Sequence, residues 1–251
     1  MVPIPRPRRR PAKFLASVVS AEEAAVALAG GADIIDCKNP SQGALGALPH
    51  SVVRAIVAGV GGRAGVSATI GDVTPEPETV VPLVAAMAGT GVDLVKIGFF
   101  PGDRDAATIS MLGRQSFGRA RLVGLLLADM KPDLGLVRLM ADAGFAGVML
   151  DTAIKDGSTL FDHAPLSLLV DFVGEAHDAG LFAGLAGSLR SDMVNDLLGA
   201  GVDVLGFRGA LCDGARREGA LSQSQVTAVA RAMQKSARDD ARARMVGVNV
   251  Q

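Results

Sequence analysis

An amine that attacks a carbonyl must be able to lose its proton, and among side chains lysine supplies it where arginine cannot. The chain has 251 residues, with nineteen arginines and only six lysines. Three of those lysines follow apolar runs. Ala32-Asp33-Ile34-Ile35-Asp36-Cys37 ends in Lys38, and Val92-Asp93-Leu94-Val95 ends in Lys96. Gly147-Val148-Met149-Leu150-Asp151 leads on to Lys155. A bias toward Arg explains why Lys is scarce, not why these lysines sit at apparent strand ends. A single such Lys is ordinarily a salt bridge or a phosphate clamp. Three converging on one mouth point to imine chemistry, because burial and a neighbouring ammonium both favour the neutral amine.

Carboxylates accompany them. Asp36, Asp72, Asp151 and Asp156 fall at expected strand ends or in the loops beyond, where they could relay protons or hold the amines. Asp72 and Asp156 are equally suited to turns and helix caps. Asp36 and Lys38 are two residues apart and share a strand face, which turns Cys37 to the other side as a packing residue. A phosphate site is expected from the turns Gly187-Ser188 and Arg208-Gly209-Ala210. The glycines let the backbone approach, Ser188 donates a hydrogen bond and Arg208 supplies charge. The Gly-rich segment 39–46 after Lys38 either closes over substrate or simply connects. His50, His163 and His177 are read as surface or cap residues.

The elements that would position these groups follow from a recurring phrase. Gly or Ala, then Asp, then a hydrophobic run appears at 31–35, 91–95 and 201–205, with a looser copy at 144–150. Each copy reads as a helix ending in Gly and a strand buried on both faces. Strands are expected at Phe14–Val18, Asp33–Lys38, Gly65–Thr69, Asp93–Ile97, Arg121–Leu127, Gly147–Asp151, Phe182–Ala186 and Asp203–Phe207. Helices are expected at Ala21–Ala29, Ser51–Ala58, Glu78–Gly89, Asp105–Phe117, Leu134–Ala143, Leu166–Ala179, Ser191–Gly199 and Ser222–Lys235. Ser20-x-x-Glu23 reads as a capping box on the first helix. Eight alternating units fit an α/β fold, a single (β/α)8 TIM barrel with its active site at the C-terminal strand ends. No GxGxxG follows the first strand, which weighs against an open doubly wound sheet.

Composition narrows the function. The net charge of −1 gives no case for nucleic acid or for an acidic membrane surface. Apolar runs are broken by charge too often to span a bilayer. Two cysteines, with no CxxC pair and no metal-type cluster with the histidines, suggest a reducing cytoplasm. With no Tyr or Trp the core must be aliphatic. Residues 1–13 alternate Pro and Arg and read as a disordered basic tail without a secretory signal. Residues 14–236 would be the catalytic barrel, and 237–251, rich in Arg and Asp, a loose tail. Aliphatic helix faces allow a homo-oligomer.

Several strings carry a family resemblance: Gly-Gly-Ala-Asp-Ile-Ile-Asp-Cys-Lys-Asn-Pro (30–40), Gly-Val-Asp-Leu-Val-Lys-Ile-Gly (91–98), Leu-Asp-Thr-Ala-Ile-Lys-Asp-Gly-Ser-Thr-Leu-Phe-Asp (150–162), Leu-Ala-Gly-Ser-Leu (185–189) and Gly-Phe-Arg-Gly-Ala-Leu-Cys (206–212). From Phe14 to Lys235 the chain resembles the (5-formylfuran-3-yl)methyl phosphate synthases, also called 4-(hydroxymethyl)-2-furancarboxaldehyde-phosphate synthases. The resemblance implies a lyase that joins two glyceraldehyde 3-phosphates into a furan aldehyde retaining one phosphate, a step toward methanofuran. It implies Lys38 as the Schiff-base lysine and Lys96 as proton acceptor and donor, with Asp36, Asp151 and Lys155 as further pocket residues. Imine formation requires no metal or organic cofactor. The segment Leu125–Pro132 departs from the methanogen pattern, which is longer there and carries Tyr and Arg. Two alternatives are a class I aldolase acting on another sugar phosphate and a non-catalytic barrel that binds phosphorylated ligands.

Overall fold

The computed structural model describes residues 11–247, with side chains described to residue 235. Strands and helices alternate: β1 (Lys13–Val18), α1 (Ala21–Ala29), β2 (Ile34–Cys37), α2 (His50–Val60), β3 (Gly65–Thr69), α3 (Pro77–Ala88), β4 (Leu94–Phe99) and α4 (Asp105–Gly113). The second half continues with β5 (Arg121–Leu127), α5 (Leu136–Asp142), β6 (Gly147–Asp151), α6 (Leu160–His163), α7 (Leu166–Asp178), β7 (Phe182–Leu185), α8 (Val194–Gly199), β8 (Val204–Phe207) and α9 (Gln223–Gly247). All eight strands are parallel and close in chain order, with β8 pairing back onto β1. The chain is therefore a (β/α)8 barrel.

The recurring Asp has a structural cause. Asp33 at the entry to β2 accepts the backbone N–H of Phe14 at 2.8 Å. Asp93 before β4 accepts that of Val66 at 2.9 Å, and Asp203 before β8 accepts that of Ala183 at 2.8 Å. Each carboxylate caps the entry of the preceding strand, so the phrase repeats where the same join repeats. The glycines opening these copies, Gly31, Gly91 and Gly201, all have positive φ (98°, 94° and 83°). Only glycine takes that geometry at little cost.

Strand alternation sorts the core into two parts. Leu15, Ile34, Val123, Leu125, Met149, Ala186 and Val204 pack inside the barrel, while the outward residues pack against the helices. Cys37 belongs to the outer layer and is fully buried. Gly184 makes room for Met149, since a Cβ there would meet its Cγ at 2.5 Å.

The structure departs from the expected elements at several points. The capping box on α1 forms only by half: Ser20 Oγ accepts from Glu23 N, but the Glu23 carboxylate binds Val19 N at 2.9 Å and turns to Arg208. The four-residue α6 was not expected, being too short for a periodicity to register. The expected helix at 191–199 is a 3-10 turn (Ser191–Met193) followed by α8. Helix α9 runs on through the first part of the segment expected as a loose tail, to Gly247, in keeping with the helix propensity of Ala, Arg and Met. Residues 1–10 of the basic arm and residues 248–251 lie outside the described residues. Among the described residues, no helix is long and apolar enough to cross a membrane.

Candidate active site

Inward-facing residues near the C-terminal strand ends build a buried polar layer. The register sets Ser17 of β1 beside Asp36 of β2, Asp36 beside Ser67 of β3, and Thr69 beside Lys96 of β4. Asp36 is fully buried. It accepts from Ser17 Oγ at 2.9 Å, Ser67 Oγ at 2.6 Å and Lys96 Nζ at 2.8 Å. A buried carboxylate is tolerable only when paired and hydrogen-bonded in this way. The sequence reading missed Ser17 and Ser67. Their signal was a serine within each of two mainly apolar strands.

A second carboxylate sits across the same pocket. Asp151 at the end of β6 lies 3.7 Å from Lys38 Nζ and 3.1 Å from Lys155 Nζ. Its Oδ1 also accepts Thr152 N at 2.7 Å. Lys155 is held further by the Thr152 carbonyl (2.5 Å) and hydroxyl (2.9 Å). Thus Lys38, Lys96, Asp36, Asp151 and Lys155 all line one pocket. Lys96 is committed to a short ion pair and is only 3% exposed. Lys38 has no carboxylate closer than Asp151 and is the least committed of the three amines.

The charges act on one another. Burial alone would raise Asp36, but Lys96 and Lys38 overcome it and lower its pKa below the ordinary value. Burial likewise works against Asp151, yet Lys155, Lys38 and the Thr152 N–H hold it low. Burial lowers Lys96, and the nearby Lys38 charge adds to this, against the opposing pull of Asp36. Burial pushes the Cys37 thiol up and keeps it protonated, consistent with packing.

A pH prediction follows. Both carboxylates titrate lower in the folded chain than the ordinary value of about 3.9, so their stabilisation is complete above it and is lost as pH falls toward their native values. Lys96 acts oppositely: its charging in the buried site costs stability below its native pKa, and this cost disappears above the unfolded value. The urea midpoint should therefore fall steeply below about pH 4, and Asp151→Asn should flatten that limb. A wild-type midpoint that stays level down to about pH 3 would contradict the buried pairs.

The segment 39–46 is packed rather than a slack connection. Asp72 accepts Ala44 N at 2.8 Å and Leu45 N at 2.6 Å, and Thr69 Oγ1 donates to the Gly46 carbonyl at 3.1 Å. Leu45 is fully buried within the inner cluster. A Cβ on Gly43 would lie 1.9 Å from Asp72 Oδ2, so the approach requires glycine. Asp72 is therefore a loop anchor. Asp156 is an exposed turn residue that accepts from Ser158. Asp129, in the segment after β5, accepts Ala153 N (2.8 Å) and Ile154 N (2.6 Å) and so steadies the loop that carries Lys155. His177 is not simply a surface residue: its Nε2 lies 2.7 Å from Asp203.

The expected phosphate residues divide. Gly187 and Ser188 line the pocket, both with positive φ (106° and 49°). Gly209 and Ala210 lie in a 3-10 turn and do not line it. Arg208, expected to supply the phosphate charge, lines the pocket too, with its guanidinium bonded to protein acceptors. Its Nε donates to Arg217 O, its Nη1 to Ser17 O and Glu23 Oε2, and its Nη2 to Glu23 Oε1 and Gly219 O. A guanidinium has five N–H donors, and these bonds use them all. Arg208 is thus a strut between β8, β1 and the following loop. Arg217 lines the pocket beside it. It lies in irregular chain well past β8, where no periodicity marks it. The only sequence signal was a second basic pair, Arg216-Arg217, in the glycine-rich loop. Among the described residues, no group of three or more His, Cys, Asp or Glu could hold a metal ion.

The sequence profile of the 4-HFC-P synthase family matches residues 14–230. A Methylorubrum extorquens protein is 44% identical over 231 residues, which are 91% of this chain and 94% of that one. The (5-formylfuran-3-yl)methyl phosphate synthase of Methanocaldococcus jannaschii is 36% identical over 220 residues, covering 81% of this chain and 92% of its own. Among solved structures, 3-hexulose-6-phosphate synthase from Salmonella typhimurium superimposes with a TM-score of 0.65 at 18% identity, covering 89% of this chain and 99% of that one. At that identity the likeness speaks to the barrel alone.

Proposed function

Because the chain belongs to the 4-HFC-P synthase family, whose members are (5-formylfuran-3-yl)methyl phosphate synthases of methanofuran biosynthesis, we propose that it condenses two glyceraldehyde 3-phosphates through an imine at Lys38. The observation that carries the mechanism is the unequal commitment of the two amines. Lys96 is locked on Asp36 at 2.8 Å, whereas Lys38 stands 3.7 Å from Asp151 and opens to the pocket. Lys38 Nζ attacks the aldehyde carbon of one triose phosphate, and loss of water gives the protonated imine. That cation acidifies the adjacent C–H. Lys96, whose pKa burial lowers, gives its proton to the departing hydroxyl and, now neutral beside Asp36, takes the C–H proton to leave an enamine.

The enamine carbon then bonds to the aldehyde carbon of the second triose, whose oxygen takes up a proton. Later steps break carbon–oxygen bonds, releasing inorganic phosphate and water, and ring closure frees the Lys38 amine. Asp151 and Lys155 stand beside Lys38 for the proton transfers of those steps. We assign the reaction to the carbon–oxygen lyases on this basis. A cytoplasmic location accords with two buried, free thiols, Cys37 and Cys212.

Incubation with glyceraldehyde 3-phosphate alone tests this reading. A furan aldehyde should appear in the ultraviolet spectrum in step with phosphate release, and borohydride should trap the triose on the protein. Trapping with an aldol product but no furan would make the chain a class I aldolase. No covalent attachment would leave a barrel that merely binds phosphorylated ligands.

A further inference from the structure

Two arginines line the lysine pocket, and the five N–H donors of Arg208 are all taken by protein acceptors, which leaves Arg217 as the one with donors to offer. We propose that Arg217 is the residue that receives the phosphate of the triose held on Lys38, acting as a guanidinium clamp at the mouth of the lysine pocket. The inference deepens the proposed function and rests on the imine reading for the identity of its ligand.

Three observations carry it. The first is charge. Lys96 pairs with Asp36, and Lys38 and Lys155 share Asp151. Arg217 lines the same pocket and, among the described residues, makes no ion pair of its own. With Arg208 set aside as paired with Glu23, three lysines and Arg217 against two aspartates leave the pocket with surplus positive charge, as an anionic substrate requires.

The second is placement. The Arg217 carbonyl accepts Arg208 Nε at 2.7 Å, and the Gly219 carbonyl accepts Arg208 Nη2 at 2.8 Å. Arg208 is itself anchored by Glu23 at 2.5 Å. The strut thus fixes the backbone from which Arg217 projects. Arg217 Nη2 donates to the Gly43 carbonyl at 2.8 Å, in the segment that follows Lys38 directly. The guanidinium therefore joins the loop after β8 to the loop after β2, in the same pocket as the amine that would carry the substrate.

The third is unused capacity. The Gly43 bond takes one of five N–H donors, and no other protein acceptor among the described residues takes the rest. A planar fork with free donors suits a phosphate, and arginine holds its charge while neighbouring amines give up protons. Arg217 is half-buried and so partly withdrawn from water, where a charged hydrogen bond counts for more.

Borohydride trapping separates this role from a merely structural one. Wild type, Arg217→Gln and Arg217→Lys are trapped across a concentration series of glyceraldehyde 3-phosphate and of unphosphorylated glyceraldehyde. Arg217→Gln should raise the half-saturating concentration of the phosphorylated triose by about 10- to 100-fold, the worth of lost charged hydrogen bonds. It should leave that of glyceraldehyde unchanged, and Arg217→Lys should recover part of the loss. Equal weakening for both aldehydes, or for neither, overturns the clamp. If wild type is trapped by neither aldehyde, the imine reading falls, and calorimetry with inorganic phosphate decides the clamp. Binding weakened about tenfold by Arg217→Gln would then uphold it, and unchanged binding would overturn it.

Discussion

Lys38→Arg should leave the barrel folded while turnover drops at least about a thousandfold, as when a covalent nucleophile is removed from an enzyme that depends on it. The substitution keeps the positive charge near Asp151, so the electrostatic support of that carboxylate survives. What it removes is an amine able to form an imine, since a guanidinium does not deprotonate in a protein. Far-ultraviolet dichroism and the urea midpoint should stay close to wild type. Borohydride with glyceraldehyde 3-phosphate should no longer add the mass of a reduced triose. Turnover near the wild-type rate would remove Lys38 from the nucleophile's place.

Lys96→Ala should act on both chemistry and stability. Loss of a positioned acid–base group costs kcat about 10²- to 10⁴-fold, with KM little changed if the residue moves a proton rather than grips substrate. Stability should fall as well. Asp36 is fully buried, and without Lys96 it keeps its two serine hydroxyls but loses its closest cation. Breaking such a pair from one side costs about 3–5 kcal/mol. Adding Asp36→Asn should restore part of the stability without restoring kcat, because the stranded charge is gone while the proton carrier is still missing. If Lys96→Ala raised KM alone, the residue would be a substrate clamp. If the double variant were no more stable than the single, the account of the buried pair would be wrong.

The two variants probe different levels of the molecule. Lys38 lies at the open side of the polar layer, so its loss is read chiefly in chemistry. Lys96 lies within the layer, where catalysis and folding share the same contacts. The shared layer also explains why the acid limb of stability and the integrity of the site should fail together.

Much of this was already determined by the sequence. Asp36, Lys38, Lys96 and Asp151 could be placed because each occupies or adjoins a strand end, and a strand fixes facing by a strict period of two. The same parity turned Cys37 outward. Eight repeats of strand and helix left the barrel as the simplest closed solution, and glycine at the joins marked the boundaries. Lys155 was legible through its distance from the end of β6, and Gly187 and Ser188 through the turn after β7.

Tertiary structure alone decided the rest, wherever a side chain's partner comes from a distant part of the chain. Arg208 and Glu23 are separated by 185 residues, and only barrel closure brings β8 back to β1 and gives the guanidinium expected to bind phosphate its protein partners. Arg217 projects from irregular chain that no period describes, held by that same closure. Ser17 and Ser67 became partners of Asp36 because parallel register aligned them. Local sequence specifies the direction in which a residue points within its own element; where the elements meet, and which charges are already spent there, is set by the packing of the whole barrel.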